Sequence, residues 1–256
     1  MNRFSRRSPL ASGLLVLAAF TVFTQRAAAQ SVDDVVEKCL TALGGRAALA
    51  KLKSRSMTGT ITLSTPVGDL SGPIEVLNAV PNKSRTLIKV DLTSLGAGEA
   101  VIDQRFDGKS GYVMDTIQGN REITGNQMDN LRNGSFPNPL MTYKEMGIVG
   151  KLGDKEKVGD RDAYVLILEP TAGSVARQYI DAQTYLPIKL VLKVDVPQLG
   201  REVEQSTEFY DYRDVDGVKI PFALKSTSAV QSFTIAITKV EHNVSIDEAL
   251  FAKPAP

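Results

Sequence analysis

Residues 179–228 constrain the fold more than any other part of the sequence, because apolar and polar residues alternate along them. Alternation with a period of two places successive side chains on opposite faces of a β-sheet. An Asp216-Gly217 pair, a dipeptide common in hairpin turns, separates two such runs. The apolar positions are Ile188, Leu190, Leu192 and Val194 in the first run and Ile220, Phe222 and Leu224 in the second. The pattern predicts an antiparallel sheet with one apolar face and one hydrated face.

Similar alternating segments occur through most of the chain, joined by short connections rich in glycine, proline and aspartate. One group of predicted strands lies between residues 54 and 117, and a second group lies between residues 162 and 241. No long helical pattern separates successive strands, so a parallel α/β fold is not indicated. We count about ten or eleven strands, which predicts a mainly β fold whose antiparallel sheet curls strongly or closes.

The first 30 residues have the three parts of a secretory signal peptide. Three arginines precede an apolar run from Leu14 to Phe23, and three alanines before Gln30 offer a cleavage site. The Arg6-Arg7 pair also resembles a twin-arginine signal, although an ordinary basic segment is the simpler interpretation. We predict that residues 1–30 are removed and that residues 31–256 form a single domain.

The predicted mature chain has the properties of a soluble exported protein. No cysteine lies near the cleavage site for lipid attachment, and no later apolar run is long enough to cross a bilayer. Loss of the four arginines of the signal changes the formal net charge from +1 to −3, which argues against nucleic acid as a partner. Because Cys39 is the only cysteine, no intrachain disulfide can form, and its place in an apolar helical stripe predicts a buried thiol.

Two segments interrupt the predicted sheet with helical patterns. Ser31 and Asp34 form a helix capping pair at the start of the mature chain, and Gly44-Gly45 ends that helix before a second short one. Residues 124–147 contain two prolines and lack alternation, which predicts short helices around an elbow. The flexible methionine side chains of this insertion suit a lid over a variable apolar ligand, whereas a plug that fills the core of the sheet is equally compatible.

Few residues offer catalytic or metal-binding chemistry. His242 is the only histidine, so neither a histidine metal cluster nor a Ser/His/Asp triad with alternative members is indicated, and we expect a partly exposed histidine at a strand end. An Asp-Val-Asp-Gly run at 214–217 resembles part of a calcium loop, but the twelfth position of that loop is Ala223 and not glutamate. No phosphate-binding glycine loop or haem-attachment motif occurs. We predict no cofactor, no metal and no catalytic residue.

Four motifs in the second half of the chain carry a resemblance to a known family. They are Gly-Asp-Arg-Asp-Ala-Tyr at 159–164, Tyr-Ile-Asp followed by Thr-Tyr-Leu-Pro at 179–187, Tyr-Arg-Asp-Val-Asp-Gly-Val-Lys-Ile-Pro at 212–221, and Val-x-x-Asn-Val leading to Asp-Glu-Ala-Leu-Phe at 240–251. With Ala42-Leu43-Gly44-Gly45 at the end of the first helix, they resemble the LolA/LolB-like superfamily of bacterial periplasmic proteins. The resemblance covers most of the predicted mature chain.

The resemblance implies a mainly β fold, namely a curved, incompletely closed antiparallel β-barrel over an apolar cavity with an N-terminal helix and a short helical lid. It also implies a carrier of lipid or acyl chains, and residues 124–147 lie where the lid would fall. Carriers of this superfamily use an arginine to couple the lid to the barrel. No residue of this chain is assigned to that role from the sequence.

The leading hypothesis is therefore a non-enzymatic periplasmic carrier or binder of lipid or lipoprotein acyl chains. Two alternatives remain open: an envelope-stress sensor or assembly module that binds another envelope protein through the sheet, and a secreted hydrolase with an unrecognised site. The candidate ligand-binding residues for the cavity and lid are Ile188, Leu190, Leu192, Ile220, Phe222, Leu224, Met128, Leu131, Met141 and Met146.

Overall fold

A computed structural model of the protein describes residue 1 and residues 30–66, 68–196 and 200–254. The signal peptide predicted for residues 1–30 lies almost entirely outside these described residues. Three α-helices and fourteen β-strands are found in the described part of the chain, and the strands form one antiparallel sheet. No helix among these residues is long and apolar enough to cross a membrane.

The N-terminal helices are α1 (Val32–Ala42) and α2 (Arg46–Ala50). The predicted capping pair begins α1: the Ser31 hydroxyl accepts a hydrogen bond from the Asp34 backbone N–H, and the Asp34 carboxylate accepts one from the Ser31 N–H. Gly44 ends the helix with a φ of +122°, and a Cβ at this position would lie 2.2 Å from the carbonyl oxygen of Gly217. Only glycine therefore allows the end of α1 to lie this close to the turn at Gly217.

The strands are connected mainly as an antiparallel meander. In the sheet they lie side by side in the order β6-β5-β4-β3-β2-β1-β14-β13-β12-β11-β10-β9-β7, and β8 also pairs with β9. Their bounds are β1 (Ser54–Thr65), β2 (Gly68–Ala79), β3 (Lys83–Asp91), β4 (Glu99–Phe106), β5 (Gly111–Asp115), β6 (Arg121–Ile123), β7 (Val149–Leu152), β8 (Glu156–Val158), β9 (Arg161–Glu169), β10 (Ala176–Asp181), β11 (Pro187–Val196), β12 (Arg201–Val215), β13 (Val218–Ser228) and β14 (Ser232–His242).

The mainly β antiparallel fold is confirmed, but the predicted strand number of about ten or eleven is wrong. The three strands absent from the prediction are β6, β7 and β8, which have only three or four residues each. Alternation cannot be recognised over so few positions. The sheet is open, because its end strands β6 and β7 do not pair with each other in the described chain.

Two glycines lie in strands where a neighbouring backbone approaches closely. A Cβ at Gly72 would lie 1.8 Å from the carbonyl oxygen of Lys89, and one at Gly59 would lie 2.3 Å from that of Ala236. Glycine within a strand is typical of positions where another backbone approaches closely. We call the face that carries α1 and residues 124–147 the concave face, and the other the convex face.

The remaining helical segments of the described residues are α3 (Gly125–Asn133) and 3-10 turns at Thr93–Leu95, Pro139–Met141 and Glu248–Leu250. We call residues 124–147 the lid segment, which comprises α3 and an elbow at 134–147. The largest buried cluster joins α1, α2 and the elbow to the concave face. A smaller cluster near the C-terminus joins Phe251 to Leu77 and Ala79 of β2.

Candidate functional site

One end of the concave face is filled by the N-terminal helices. Ile220 and Phe222 of β13 are buried there in the same cluster as Val36 and Leu40 of α1, and Leu224 packs against that cluster while remaining partly exposed. These three predicted cavity residues therefore lie in or beside a packed core. Whether any of them contacts a ligand stays a prediction.

Ile188 lies on the opposite side of the sheet from Leu190 and Leu192. The register between β10 and β11 shifts at this point, so that Ile180 pairs with Pro187 whereas Tyr179 pairs with Lys189. This β-bulge turns the Ile188 side chain into a second cluster, on the convex face, with Val191. The alternation prediction is wrong at this residue, because an extra position in the ladder leaves no mark in the alternation of residue types.

Leu190 and Leu192 line an apolar cavity of about 170 Å³ between the concave face and the lid segment. The sheet contributes Leu168, Ala176 and Gln178 to its wall in addition to the two leucines. The lid segment contributes Asn130, Asn133, Gly134, Pro139 and Tyr143. The structure thus brings these two predicted residues to the lid, with space between them.

Helix α3 of the lid segment contacts two separate parts of the sheet, namely β4–β6 and the turn between β9 and β10. Met128 of α3 is buried with Phe106, Val113 and Ile123 of β4–β6, and Leu131 packs against the same cluster. The other side of α3 faces the turn between β9 and β10. The helix therefore bridges two groups of strands that do not pair with each other.

Three asparagines at helical spacing form the second of these contacts. Asn130 accepts a 2.7 Å hydrogen bond from the Ser174 backbone N–H and donates to the Ser174 hydroxyl at 3.1 Å. Asn126 also donates to that hydroxyl, at 2.9 Å, and Asn133 donates to the Ala172 carbonyl at 2.8 Å. We call Asn126, Asn130 and Asn133 with their partners the amide latch. Asn126 donates to the Glu202 carboxylate of β12 as well. Hydrogen bonds, and not apolar packing, therefore hold this side of the lid.

Glycine allows the latch to close tightly. Gly173 has a φ of +98°, and a Cβ there would lie 2.6 Å from the Asn133 side-chain nitrogen and 3.0 Å from the Asn130 side-chain oxygen. A side chain at this position would push the turn away from α3.

The elbow is anchored to the N-terminal helices. Its residues Phe136, Leu140 and Tyr143 are buried in the main cluster, where Met141 and Met146 pack with partial exposure. The elbow also makes polar contacts with α1 and α2. The Tyr143 hydroxyl donates to Asp33 at 3.2 Å, Lys144 forms a 2.6 Å ion pair with Asp33, and Arg46 donates to the Met141 carbonyl at 3.2 Å.

Arg55 of β1 is enclosed beneath the elbow. Its guanidinium carbon lies 5.4 Å from the centre of the Phe136 ring, and one nitrogen donates to the Asn78 side chain at 2.9 Å. Its Nε is buried and has no hydrogen-bond partner. Burial lowers the pKa of Arg55 to about 10, because no carboxylate compensates the loss of hydration.

His242 lies opposite Arg55 in the β1–β14 ladder. Its side chain is 1% exposed, so the predicted partial exposure is wrong for the ring. Its Nδ1 is 3.2 Å from an Asp216 carboxylate oxygen, while its Nε2 is buried and has no hydrogen-bond partner.

Burial raises the pKa of the Cys39 thiol to about 12, so this sulfur stays protonated at neutral pH. No group of acidic, histidine or cysteine residues in the described chain is arranged to hold a metal.

No family model matches the sequence, and no curated protein matches it either. Solved structures do match the fold. A LolA superfamily protein from Nitrosomonas europaea has a TM-score of 0.55 at 15% identity, over 88% of this chain and 99% of that one. A domain assigned to outer-membrane lipoprotein sorting in Vibrio parahaemolyticus has a TM-score of 0.57 at 12% identity, over 86% and 97%.

This chain shares its fold with both of these proteins. A DUF1329 family protein from Desulfovibrio piger shares it, with a TM-score of 0.56 at 12% identity over 88% of this chain and 98% of that one. The superfamily resemblance predicted from the sequence motifs is thereby confirmed at the level of the fold. At these identities the likeness is one of architecture, and side-chain roles must be argued from this chain.

Sequence reasoning missed the polar residues that hold the lid. The signal for the amide latch was the i, i+4, i+7 spacing of three asparagines on a helix with few apolar residues. The signal for Arg55 was an arginine two residues before Met57, at a concave position of β1. Neither signal identifies the partner, which lies far away along the chain.

Proposed function

We propose that the protein is a periplasmic, non-enzymatic carrier or binder of lipid or lipoprotein acyl chains, exported by its predicted signal peptide. The observation that carries this proposal is the apolar cavity between Leu190, Leu192 and the lid segment, closed on one side by the amide latch. An apolar space closed by polar contacts suits a ligand that needs hydrophobic burial and a cover that opens in water. The shared fold with a LolA superfamily protein and a lipoprotein-sorting domain supports it.

The size of the cavity implies that the lid must move. An apolar cavity of about 150 Å³ holds a molecule of the size of benzene, so a cavity of about 170 Å³ accommodates only the end of an acyl chain. Binding a longer segment requires α3 to leave the β9–β10 turn. The Leu190 and Leu192 side chains would then be open to a ligand over a longer part of the concave face.

A comparison of the free energies of the latch and of acyl-chain burial favours opening of the lid by the ligand. The net contribution of each latch hydrogen bond is about 1 kcal/mol, so breaking four of them costs roughly 4 kcal/mol. Burial of an acyl chain contributes about 0.8 kcal/mol per methylene, or roughly 8 kcal/mol for ten. A ligand of that length therefore compensates for the open latch, whereas a short one does not.

Arg55 is our candidate for the arginine that couples lid and barrel. It is on strand β1, its guanidinium carbon lies 5.4 Å from the centre of the Phe136 ring of the elbow, and its Nε has no hydrogen-bond partner in the closed state. Movement of the elbow would expose this group to water. An open lid would therefore relieve the cost of its burial.

Analysis of the bound contents tests the proposal. The mature protein, purified without detergent, is studied by native mass spectrometry and then by organic extraction. We expect a copurified lipid, or stoichiometric uptake of a fluorescent fatty acid by the empty protein. Protein that is consistently ligand-free and takes up no fatty acid would contradict the proposal.

A reversible lock on the lid shows whether uptake uses this cavity. Asn130→Cys and Ser174→Cys together place two thiols across the latch, while the native Cys39 is buried. We expect the oxidised double variant to lose fatty-acid uptake and the reduced form to regain it. The matched control is the single variant Asn130→Cys, whose uptake should not respond to the oxidant. Equal uptake by the locked and unlocked forms would place binding elsewhere.

A further inference from the structure

A second, larger cavity of about 490 Å³ lies between β4–β6 and β11–β13. One wall comes from β4 and β5 and includes Ile102 and Val113, and the other comes from β11–β13 and includes Val194. Gln104 and Gln205 add neutral polar groups on the two sides. We call this space the mouth cavity. Its volume is in the range of about 300–1,000 Å³ that is typical of small-molecule sites.

Arg121 of β6 provides the unusual feature of the mouth cavity. It lies opposite Val113 in the β5–β6 ladder and lines the cavity. Its Nη1 is buried and has no hydrogen-bond partner. In the described part of the chain, Arg121 forms no ion pair with any carboxylate. By contrast, Arg85 and Arg105 on the convex face share Asp103 at 2.8 and 2.9 Å.

In the described chain, neither of the two carboxylates that line the cavity forms an ion pair with Arg121. Asp115 lines the same space, but one of its oxygens already accepts hydrogen bonds from the backbone N–H groups of Ile117, at 2.8 Å, and Gln118, at 2.9 Å. Asp195 also lines it, but is exposed and pairs in the strand ladder with Glu202 of β12. The Arg121 side chain is partly exposed, but a buried N–H donor such as its Nη1 is rarely left without an acceptor, and a bound ligand could supply one.

We propose that the mouth cavity binds the anionic head group of an amphiphile, with Arg121 as the residue that contacts a carboxylate or phosphate. A guanidinium presents several N–H donors in a plane and matches both of these oxyanions. Val113 and Val194 contact the first methylenes of the chain. This proposal rests on the proposed function, and it adds the charge of the ligand and the place of its head group.

The position of the tail follows from β11. Val194 of the mouth cavity and Leu192 of the lid cavity are two residues apart on the concave side of this strand, which is about 7 Å. A chain whose head group lies at Arg121 therefore extends along β11 toward Leu192 and Leu190. The lid segment covers the tail, and the mouth cavity holds the head group.

Three ligands with the same tail test this assignment: decanoate, decyl phosphate and decanol, titrated calorimetrically into the mature protein. We expect both anions to bind about 10- to 100-fold more tightly than decanol, as for a hydrogen bond to a charged group. In Arg121→Gln this preference should be lost, while the affinity for decanol stays unchanged. The matched control Arg132→Gln, at an exposed arginine of α3, should retain the preference. The more tightly bound anion identifies the head group as a carboxylate or a phosphate.

The outcomes separate the two proposals. If the wild-type protein binds none of the three ligands, the proposed function fails. If it binds all three equally, or if Arg121→Gln keeps the preference for anions, only the head-group site is overturned. Arg121→Lys provides a second measurement, in case the glutamine variant does not fold. It should favour the anions over decanol by a smaller factor than arginine does, and a preference as large as in the wild type would contradict a role for the guanidinium.

Discussion

The two ends of the concave face are closed in different ways. At one end α1 packs its apolar side directly on the sheet, and Val35, Cys39 and Leu40 are completely buried. At the other end α3 has only Met128 buried and is held across the opening by three asparagines. Stability in water comes mainly from apolar burial, whereas exchange of partners is easier for polar groups that water can replace. On the proposed function, the end under α1 maintains the fold and the end under α3 gives the ligand access to the cavity.

Truncation of one apolar residue at each end should give the largest difference. Phe222→Ala removes a buried ring from the α1 end and should lower the free energy of unfolding by about 3–5 kcal/mol. Leu192→Ala beside the lid cavity should lower it by less than about 1.5 kcal/mol, because the side chain is half-buried next to empty space. Denaturation with urea measures both changes. Equal losses would remove the distinction between the two ends.

The amide latch should make a smaller contribution to stability and a larger one to access. Asn130→Ala removes both hydrogen bonds to Ser174 and leaves the Ser174 backbone N–H without its acceptor, which should cost about 1–2 kcal/mol. Hydrogen exchange should become faster in α3 and remain unchanged in α1, and fatty-acid uptake should be faster. Arg132→Ala on the exposed side of α3 is the control, and should change stability by no more than about 0.5 kcal/mol. Slower uptake in Asn130→Ala would contradict the role of the latch.

Replacement of Arg55 tests whether its contact with Phe136 stabilises the fold or couples movement of the elbow to strand β1. Arg55→Met keeps most of the side-chain length and removes a buried charge that has no carboxylate partner, so the free energy of unfolding should stay within about 1 kcal/mol of the wild-type value. Exchange of the elbow amides should nevertheless change, because the contact with Phe136 is altered. Lys53→Met, at an exposed neighbouring position, is the matched control. A large loss of stability would show that Arg55 belongs to the folding core.

The smallest effect is expected at the exposed anchor between the lid and α1. The hydrogen bond from Lys144 lowers the pKa of Asp33 below its ordinary value of about 3.9. A lowered pKa in the folded state means that the contribution of Asp33 is present above the unfolded value and is lost as the pH falls through the folded value. Wild type and Asp33→Asn should therefore differ slightly in urea midpoint at neutral pH and converge below that range. Asp154→Asn is the control, and a difference that persists in strong acid would exclude this ion pair as its source.

The sequence allowed the prediction of the sheet and its faces, because alternation reports burial at each position. It did not reveal the bulge at Ile188, since one extra residue in a ladder changes pairing without changing composition. Nor did it show that Ile220 and Phe222 lie under α1 while Leu190 and Leu192 line a cavity, because both pairs are equally apolar. Filled and empty volume depend on which distant segments meet. The partners of Asn130, Arg55 and Arg121 are hidden for the same reason.

The buried thiol of Cys39 has a practical consequence. It is the only sulfhydryl group in the chain, it lies at the centre of the α1 interface, and it is protonated because burial raises its pKa to about 12. A thiol-modifying dye can react with it only when α1 separates from the sheet. The rate of labelling therefore reports the rate at which α1 separates from the sheet. If fatty-acid uptake is fast while labelling of Cys39 remains slow, the ligand enters without separating α1 from the sheet.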